Sequence, residues 1–357
     1  MTVGRILLDA AASLTTPLLP DDYLGLIDPL WSRRGLRGRV EAVRREAAGV
    51  ATLVIRPGAG WNEHRAGQYV RIGVNVDGVW HWRPYSVSSA PRDPGGVISI
   101  TVKALPDGKL SGRLVEGVPP GAIVRLEKPR GCFVLPQVLP PRLLFVTAGS
   151  GITPVMSMLR GLAQGGEMPD AVVVHSAPTR DDVIFGTELR ELAARFPTLR
   201  LHEHHTRVPG GPARRLTMAA LPAICPDWAE RPAWVCGPPG MLADAEAWWR
   251  RAGVADHLRV ERFRPAEAPG GGTGGRVRFA RSGRQAQAGG NTSLLAVGED
   301  AGVLMPSGCR MGICHSCLAQ LTSGRVRDLR TGREHGAQGE LVQTCVSGAA
   351  GDVEIDL

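Results

Sequence analysis

The chain has 357 residues, 43% of them hydrophobic and 21% charged, which is the balance of an ordinary globular protein. Its length exceeds one average core, so two or three domains are expected. No run of 18 apolar residues occurs, and no membrane-spanning helix is expected. Asp9 interrupts the mildly apolar N-terminus and no clean cleavage site follows, which indicates a cytoplasmic chain without a secretory signal.

The net charge of +8 comes almost entirely from arginine, because the only lysines are Lys103, Lys109 and Lys128. A sequence pI near 9.5 raises the question of nucleic-acid binding. The arginines are scattered, with no basic run and no aromatic-studded sheet motif, so no nucleic-acid partner is expected. An acidic partner or phosphate-binding sites explain the excess equally well.

Residues 1–36 are a short, partly helical extension that could dock on the next domain, and no chemistry is assigned to it. From 37 to 138, short Val/Ile-rich runs alternate with polar residues between glycines and prolines, as in GRVEAVRRE, ATLVIRP and QYVRIGV. This texture predicts a small antiparallel β-barrel, with six strands.

From 139 to 267, apolar strands such as LLFVTAG, AVVVHSA and PAWVCG alternate with helical stretches. This βαβ order predicts a doubly wound parallel sheet with helices on both faces. Residues 268–275, APGGGTGG, are too rich in glycine to pack a core and indicate a flexible linker. A last domain, 276–357, follows. The fold class is therefore multidomain, α/β plus β.

The segment RPYSVSS, Arg83 to Ser89, precedes the strand ISITVKA and suits a flavin. Arg83 would pair with a diphosphate, the Tyr85 ring would cover the flavin, and the Ser86 hydroxyl would reach flavin N5. Taken alone, the four residues from Arg83 to Ser86 fit an exposed β-turn as well.

The segment LLFVTAGSGITPVMSML predicts a strand, a glycine-rich turn and a helix. Gly149, Ser150 and Gly151 form the turn, where the missing side chains would let a diphosphate approach. Thr153 is expected as the N-cap and Pro154 as the first helical residue. The helix N-terminus would then present N–H groups to phosphates. The alternative is an ordinary strand–helix connection.

WVCGPPGM, residues 234–241, follows an apolar strand and contains Cys236, Gly237 and Pro238. Without further context, Cys236 fits a buried structural thiol. The sequence LHEHH offers His202, His204 and His205 as zinc ligands, but no fourth ligand lies nearby. A solvated strand end is the preferred interpretation of these histidines.

Four cysteines near the C-terminus have a distinctive spacing. Cys309, Cys314 and Cys317 are separated by four and two residues, and Cys345 follows after 27 more. This spacing is that of plant-type 2Fe–2S ferredoxins. The alternatives are structural zinc, which usually takes two separated close pairs, and buried structural thiols. The seven cysteines of the chain are odd in number and crowded at one end, unlike a disulfide framework.

Residues 276–357 resemble plant-type ferredoxins, which implies a β-grasp fold. Upstream, GQYV, RPYS, VK, GKLS and PRGCF occur in the order found in the ferredoxin–NADP reductase superfamily, and CGPPGM matches its nicotinamide element. The resemblance implies FAD, with FMN as the lesser option, and places Cys236 near the nicotinamide ring. The implied flavin residues are Arg83, Pro84, Tyr85, Ser86, Val102, Lys103, Gly108, Lys109, Leu110 and Ser111.

In this superfamily, a serine and a nearby arginine after the second strand of the sheet select NADPH. Ser176 and Arg180 stand there, with Arg207 as a further candidate. The family often has its arginine where this chain has Pro178. No acidic residue at the strand end would grip a ribose hydroxyl, although Asp181 and Asp182 follow. NADPH is expected, and NADH is possible.

The whole order of domains resembles bacterial ferredoxin reductases that serve oxygenases, hydroxylases and desaturases. Residues 18–40 and 76–86 are most similar to the desaturase type, which implies a membrane diiron desaturase or hydroxylase as electron acceptor. A Rieske or haem oxygenase is the alternative, and a non-enzymatic redox sensor a remote one. Residues 275–357 carry nine arginines and eight acidic groups, so +7 of the charge lies on residues 1–274. Weak association with the inner face of an anionic membrane is therefore considered. The sequence does not specify an oligomeric state.

Overall fold

The computed structural model describes residues 20–32, 35–76, 79–105, 109–207, 214–263, 271–308, 310–312 and 315–357. The chain divides into two compact units, Met1–Glu261 and Arg262–Leu357. The first unit contains both the antiparallel barrel and the parallel sheet that the sequence predicts. No helix in these described ranges combines the length and the hydropathy that a bilayer crossing requires.

Six antiparallel strands form the barrel, in the spatial order β4-β3-β6-β1-β2-β5. A bridge between Val87 and Ile100 links the two edges of this sheet. Alternate apolar side chains fill the interior, as the period of a β-strand requires. The strands are β1 (Arg37–Ala47), β2 (Val50–Pro57), β3 (Tyr69–Val76), β4 (Val79–Ser86), β5 (Ile98–Lys103) and β6 (Ile123–Leu126), with helix α2 (Lys109–Glu116) after β5.

The RPYS segment, Arg83 to Ser86, forms the last four residues of strand β4. The segment is therefore a strand end, and the turn interpretation is wrong. Pro84 fits because β4 is an edge strand of the sheet, where a missing N–H removes no ladder hydrogen bond.

The N-terminal extension contains helix α1 (Pro20–Ile27) and a 3₁₀ turn, Pro29–Trp31. Leu30 is buried and its carbonyl accepts a hydrogen bond from the Ala59 N–H at 3.0 Å. Asp28 pairs with Arg39 of β1 at 2.8 Å. The described end of the extension thus docks on the barrel, as expected.

Five parallel strands form the second sheet, in the order β11-β10-β7-β8-β9. Leu143 and Phe145 pack towards one face of it, and Leu144 and Val146 towards the other, so both faces carry a core. The strands are β7 (Arg142–Ala148), β8 (Asp170–Ala177), β9 (Leu199–His205), β10 (Ala233–Cys236) and β11 (Leu258–Glu261). The helices are α3 (Ile152–Gly165), α4 (Gly186–Arg195), α5 (Leu221–Ile224) and α6 (Pro239–Arg251).

The expected start of helix α3 was wrong by about half a turn. A 3₁₀ turn, Gly149–Gly151, leads directly into the helix, and Gly151 is the N-cap. Thr153 is helical, and its hydroxyl donates to the Ser150 carbonyl at 2.9 Å. Pro154 lies in the first turn, where its missing N–H leaves no helical hydrogen bond unmade.

Hydrogen bonds from α3 join the parallel sheet to the barrel. Ser157 Oγ donates to the Ser89 carbonyl at 2.6 Å, and Arg160 donates to the Ser88 carbonyl at 2.7 Å. Gly67 stands at the same boundary with a φ of +96°, and a Cβ there would lie 2.0 Å from the Phe133 carbonyl oxygen. The barrel and the sheet therefore form one body.

The second unit holds a mixed five-stranded sheet, in the order β13-β12-β19-β14-β17, and a three-stranded sheet, β16-β15-β18. Helix α7 (Leu294–Asp300) packs on the same core as the larger sheet. The strands are β12 (Gly275–Phe279), β13 (Gln285–Ala288), β14 (Leu318–Ser323), β15 (Val326–Asp328), β16 (Glu334–His335), β17 (Leu341–Gln343), β18 (Ser347–Ala349) and β19 (Val353–Ile355).

The C-terminal part of the predicted linker 268–275 belongs to this second unit. Gly274 bridges Ala350, and its carbonyl accepts from the Gly351 N–H at 2.8 Å. Gly274 has a φ of +67°, and a Cβ there would lie 2.4 Å from the Ala288 carbonyl oxygen. These glycines allow close backbone contact, so the density of glycine alone overstated the length of the linker.

Candidate functional site

The RPYS segment lies where β4 ends against β3. Tyr69 pairs with Ser86, and Ile72 pairs with Arg83. Ser86 is buried, and burial raises the pKa of the Tyr85 hydroxyl to about 12, so this ring stays neutral at physiological pH. Arg83 donates to the Trp82 carbonyl at 2.8 Å. The strand thus carries a cation at Arg83, a neutral aromatic ring at Tyr85 and a hydroxyl at Ser86 within its last four residues.

The start of helix α2 is the second predicted flavin element. Ser111 is buried, and its hydroxyl accepts from the Leu105 N–H at 3.1 Å. Leu110 and Val102 are buried in the barrel core, whereas Lys103 is exposed at the end of β5. Gly108 lies outside the described residues. The Ser111 hydroxyl therefore has a hydrogen-bond partner within the protein. Its expected contact with a flavin phosphate stays a prediction.

The two predicted nicotinamide motifs meet at the carboxyl edge of the parallel sheet. A Cβ on Gly151 would lie 2.1 Å from the Cys236 carbonyl oxygen, and one on Gly237 would lie 3.3 Å from the Ala148 Cβ. Pro238 is the N-cap of α6. Glycine is therefore required at 151 for the motifs to approach each other, and at 237 a side chain would fit only tightly.

Strand β5 of the barrel contacts the Gly149–Gly151 turn, so flavin-side and nicotinamide-side elements are adjacent. Cys236 is almost fully buried, and this burial raises the pKa of its thiol well above the usual range. Cys236 is thus a neutral thiol. It can pack against a ring or donate a weak hydrogen bond, but it is not a thiolate nucleophile.

Glu261 is a site residue that the sequence analysis missed. It pairs in register with Cys236 on the neighbouring parallel strand, at the carboxyl edge where the motifs meet. Burial raises the pKa of its carboxyl group to about 7, and its charge contributes to the raised pKa of Cys236. The signal available in the sequence was its position at the end of the last strand of the sheet, where ligands of such folds bind.

His175 and Thr147 form a second pair that sequence motifs did not indicate. They are register partners on β7 and β8, and Thr147 Oγ1 lies 2.8 Å from His175 Nδ1. Burial lowers the pKa of His175 to about 4, so the imidazole is neutral at physiological pH. Its Nε2 has no hydrogen-bond partner among the described residues.

The residues expected to select the nicotinamide lie together at the ends of β8 and β9. Ser176 is buried, and Arg180 is exposed in the loop that follows it. The Arg207 N–H donates to the Pro178 carbonyl at 2.8 Å, which brings this second arginine beside the same loop. Two arginines and a serine thus surround one strand end.

Two of the three histidines of β9 have hydrogen-bond partners within the protein. His204 Nε2 lies 2.9 Å from the Arg214 carbonyl, and His205 Nε2 lies 3.3 Å from a Glu203 carboxylate oxygen. His202 is exposed. Across the described ranges, no group of three or more potential metal ligands occurs, at these histidines or elsewhere.

Cys317 and Cys345 meet inside the second unit, with their sulfur atoms 3.1 Å apart. Contact with the Cys345 thiol, together with backbone N–H groups and the Thr344 hydroxyl, lowers the pKa of Cys317 to about 6. A thiol that ionises this readily fits a metal ligand. Cys309 and Cys314 lie outside the described residues.

The loop around the cysteines has the backbone that cluster wrapping requires. Arg310, Gly312 and His315 all have positive φ values, of +59°, +72° and +56°. Two non-glycine residues in this conformation within one short loop, Arg310 and His315, are uncommon and mark a constrained loop. The donor set, the sulfur contact and this backbone together fit a 2Fe–2S cluster held by four thiolates.

Comparisons with known proteins cover all three sites. The chain matches models of an oxidoreductase FAD-binding domain over residues 62–135, an oxidoreductase NAD-binding domain over 145–247, and a 2Fe-2S iron-sulfur cluster binding domain over 277–350. An NADPH oxidoreductase of Mycobacterium tuberculosis is 53% identical over 350 residues, which cover 97% of this chain and 91% of the relative.

A glycine betaine monooxygenase reductase subunit of Pseudomonas aeruginosa is 30% identical, over 82% of this chain and 87% of the relative. The solved structure of phthalate dioxygenase reductase superposes with a TM-score of 0.66 at 23% identity, covering 90% of this chain and 97% of that one. The similarity to phthalate dioxygenase reductase shows that the two chains share a fold.

Fold and sites together define a nicotinamide-dependent flavin reductase that carries its own iron–sulfur domain. More particularly, the chain belongs to the ferredoxin–NADP reductase superfamily, in the group with a C-terminal 2Fe–2S domain. It is an oxidoreductase of the electron-transfer type, and FAD, a nicotinamide and a 2Fe–2S cluster are its cofactors.

The raised pKa of Glu261 predicts a pH-dependent loss of stability. In the folded chain the carboxyl group, with a pKa raised to about 7, keeps its proton up to about that pH, whereas in the unfolded chain it ionises near pH 4.5, as an ordinary glutamate does. The folded state therefore binds more protons between these values, and stability falls as the pH rises through them. Glu261→Gln should raise the melting temperature at pH 8 and leave it unchanged at pH 4.5. The melting temperature is measured from the rise in flavin fluorescence as the unfolding chain releases the flavin. Each kcal/mol gained is worth about 2–4 °C.

The matched control is Glu191→Gln, an exposed glutamate on α4. Its melting temperature should track the unmodified protein at both pH values. An equal gain for Glu261→Gln at pH 4.5 and pH 8 would show that burial of the charge is not the cause.

Proposed function

We propose that the chain takes hydride from NADPH and passes single electrons to a separate oxygen-activating enzyme. The observation that carries this proposal is the presence of three cofactor domains in one polypeptide, in an order shared with the 53% identical NADPH oxidoreductase. FAD supplies the change from two-electron to one-electron transfer, and the cluster carries the single electrons onward.

The end of β4 would hold the flavin. Arg83 would neutralise the diphosphate, the neutral Tyr85 ring would cover the flavin, and the buried Ser86 hydroxyl would bond to N5. Pro84 keeps the edge of β4 free of a competing N–H donor. The first N–H groups of α2, the helix that begins at Lys109, would bind the same diphosphate.

Ser86→Ala should retain FAD and slow its reduction by the nicotinamide in single-turnover stopped-flow measurements. Loss of one hydrogen bond costs about 1 kcal/mol, so the rate should fall about fivefold, and further where charge develops in the transition state. Ser88→Ala is the control, because the Ser88 hydroxyl lies inside the barrel at 3.2 Å from the Ser99 carbonyl. Equal rates for Ser86→Ala and the unmodified protein would remove Ser86 from the site.

The carboxyl edge of the parallel sheet would hold the nicotinamide. The Gly149–Gly151 turn would receive the diphosphate, and Cys236 and Glu261 would line the place of the nicotinamide ring. Arg180 and Arg207, with Ser176, would bind a 2′-phosphate, which supports NADPH over NADH. The 53% identical relative is an NADPH oxidoreductase, which agrees with this preference.

Arg180→Ala should lower the ratio of kcat/KM for NADPH to kcat/KM for NADH by about 10- to 100-fold. A charge-assisted hydrogen bond to phosphate is worth about 1.5–3 kcal/mol, and NADH has no such phosphate to lose. Arg250→Ala is the control, since it removes the same charge at the last turn of α6, whose first turn is the one beside the site. A native preference for NADH would contradict the assignment.

The sequence bounds 37–138, 139–267 and 276–357 remain the proposed limits of the three domains, and the linker is proposed to lie within residues 268–275. Residues 275–357 carry a net charge of only +1, whereas free ferredoxins use charge to find their reductases. A linker replaces such steering by raising the effective concentration of the cluster domain near the flavin.

Two observations bear on the electron acceptor. The similarity of residues 18–40 and 76–86 to desaturase-type reductases, and the charge of +7 on residues 1–274, support a membrane diiron desaturase or hydroxylase beside an anionic bilayer. A soluble monooxygenase is the second candidate, and the 30% identical reductase subunit of a monooxygenase supports it. The desaturase is the first choice because two separate features of this chain point to it.

The full chain should support product formation by a desaturase in anionic liposomes, and the rate should fall as ionic strength rises. A soluble Rieske monooxygenase should receive electrons more slowly under the same conditions. The Cys345→Ala variant is the control and should support neither acceptor, although it still oxidises NADPH with ferricyanide. Faster turnover with the soluble monooxygenase at every ionic strength would reject the membrane acceptor in favour of the second candidate.

A further inference from the structure

Arg330 lies in the turn after β15 and is held in one orientation by Asp328. Its N–H and Nε donate to Asp328 Oδ1 at 2.8 and 3.2 Å, and one guanidinium nitrogen donates to Oδ2 at 2.7 Å. Both side chains are at least two-thirds buried. A guanidinium fixed by two bonds to one carboxylate, on a residue whose backbone N–H binds the same carboxylate, has lost most of its rotamer freedom, so it points in a defined direction.

The other side of the guanidinium faces the cysteine loop. Arg330 Nη1 donates to the Gly312 carbonyl at 3.4 Å, and Gln343 Nε2 donates to the same oxygen at 3.1 Å. A Cβ on Gly312 would lie 2.5 Å from Arg330 Nη1. Gly312 stands between Cys309 and Cys314 in the sequence, so Arg330 contacts the backbone that carries two of the four predicted ligands.

The same turn is tied to the segment that carries the fourth ligand. The Leu329 N–H donates to the Val346 carbonyl at 2.8 Å, one residue beyond Cys345. A Cβ on Gly312 would also lie 3.0 Å from the Val346 side chain, which places the loop, the guanidinium and this segment together. Arg330 therefore sits between the two stretches of chain that bring the cysteines to one point.

The charge on Arg330 interacts with the thiols. Its bonds to Asp328 raise the pKa of the guanidinium, and the charges of Cys345 and Cys317 raise it further. Arg330 donates from Nε and Nη2 to Asp328 and from Nη1 to the Gly312 carbonyl. Of this ion pair, the cation is thus the member that contacts the cysteine loop.

We propose that Arg330 is a positioning residue that raises the reduction potential of the 2Fe–2S cluster, by holding a fixed positive charge against the cysteine loop. An added electron makes the cluster and its thiolates more negative, and a nearby immobile cation stabilises that reduced form more than the oxidised one. Hydrogen bonding and local charge are the general means by which proteins set such potentials. The inference rests on the 2Fe–2S domain and holds for any electron acceptor.

The test is a redox titration of the full chain, followed by the visible and paramagnetic resonance signals of the cluster. Arg330→Gln, which can still donate to Gly312, should shift the one-electron equilibrium about tenfold towards the oxidised form, a fall of about 59 mV. Arg330→Lys should keep most of the native potential. Arg333→Gln removes the same charge from an exposed position on the same turn and should leave the potential unchanged.

An unchanged potential in an Arg330→Gln protein that retains two irons per chain would overturn the proposal. An equal fall in Arg333→Gln would do so as well, because general charge would then be the cause. Should Arg330→Gln fail to retain iron, Asp328→Asn decides. It removes the anion that offsets the guanidinium, so the potential should rise, and no change or a fall would reject the role of the pair.

Discussion

The contact between helix α3 and the strand end after RPYS is the constraint on which the first unit depends. Hydride transfer requires two rings in contact, held by separate domains, and an error of about 1 Å is costly for such chemistry. Ser157 and Arg160 of α3 bind the carbonyls of Ser89 and Ser88, three and two residues beyond Ser86. The helix that begins at the dinucleotide turn is thus hydrogen-bonded to the strand that would hold the flavin.

Further side chains hydrogen-bond at the same contact. His64 Nε2 lies 3.2 Å from the Ser89 carbonyl, and burial lowers the pKa of this histidine. Arg160 also pairs with Glu188 of α4 at 2.5 Å, so the second helix of the sheet is included. Since buried hydrogen bonds to charged groups are expensive to break, the barrel and the sheet behave as one framework. Positions on β4 and α3 are thereby fixed relative to each other.

Motifs of fixed spacing were the part of the site that the sequence predicted. The cysteines, the RPYS segment and the two glycine turns each depend on neighbours in the chain, and local rules describe them. No sequence motif indicated Glu261 or His175. Their positions beside Cys236 and Thr147 result from the register between strands that are far apart in the sequence. No periodicity reveals which residue of β11 will stand beside Cys236.

Most of the fold could also be predicted from local patterns in the sequence, and the errors in that prediction concerned single elements. Alternation of apolar residues identified most strands, but β4 contains Trp80, Trp82 and Pro84, whose mixture of bulk and polarity obscures the pattern. Arg125 stacks on Trp80 with its guanidinium carbon 4.0 Å from the ring centroid, and Gly73 makes room for Trp82. These contacts between strands, rather than local propensity, make the segment a strand.

The distribution of arginine shows why a basic chain need not bind nucleic acid. Arg231 is almost fully buried at the amino edge of the parallel sheet, where it binds Asp170 at 2.6 Å and Asp227 at 2.8 Å. Removal of one partner from such a pair costs about 3–5 kcal/mol, because a buried charge is left without compensation. Ion pairs thus stabilise the amino edge of the sheet, whereas the carboxyl edge carries the glycine turns at which a ligand would bind. In the second unit, Arg330 shows the same use of a guanidinium, fixed by one carboxylate and directed at backbone oxygen. Arginine therefore fixes loops in place within this chain, because its planar guanidinium donates several hydrogen bonds in defined directions. The proposed effect of Arg330 on the cluster follows from its position beside the cysteine loop.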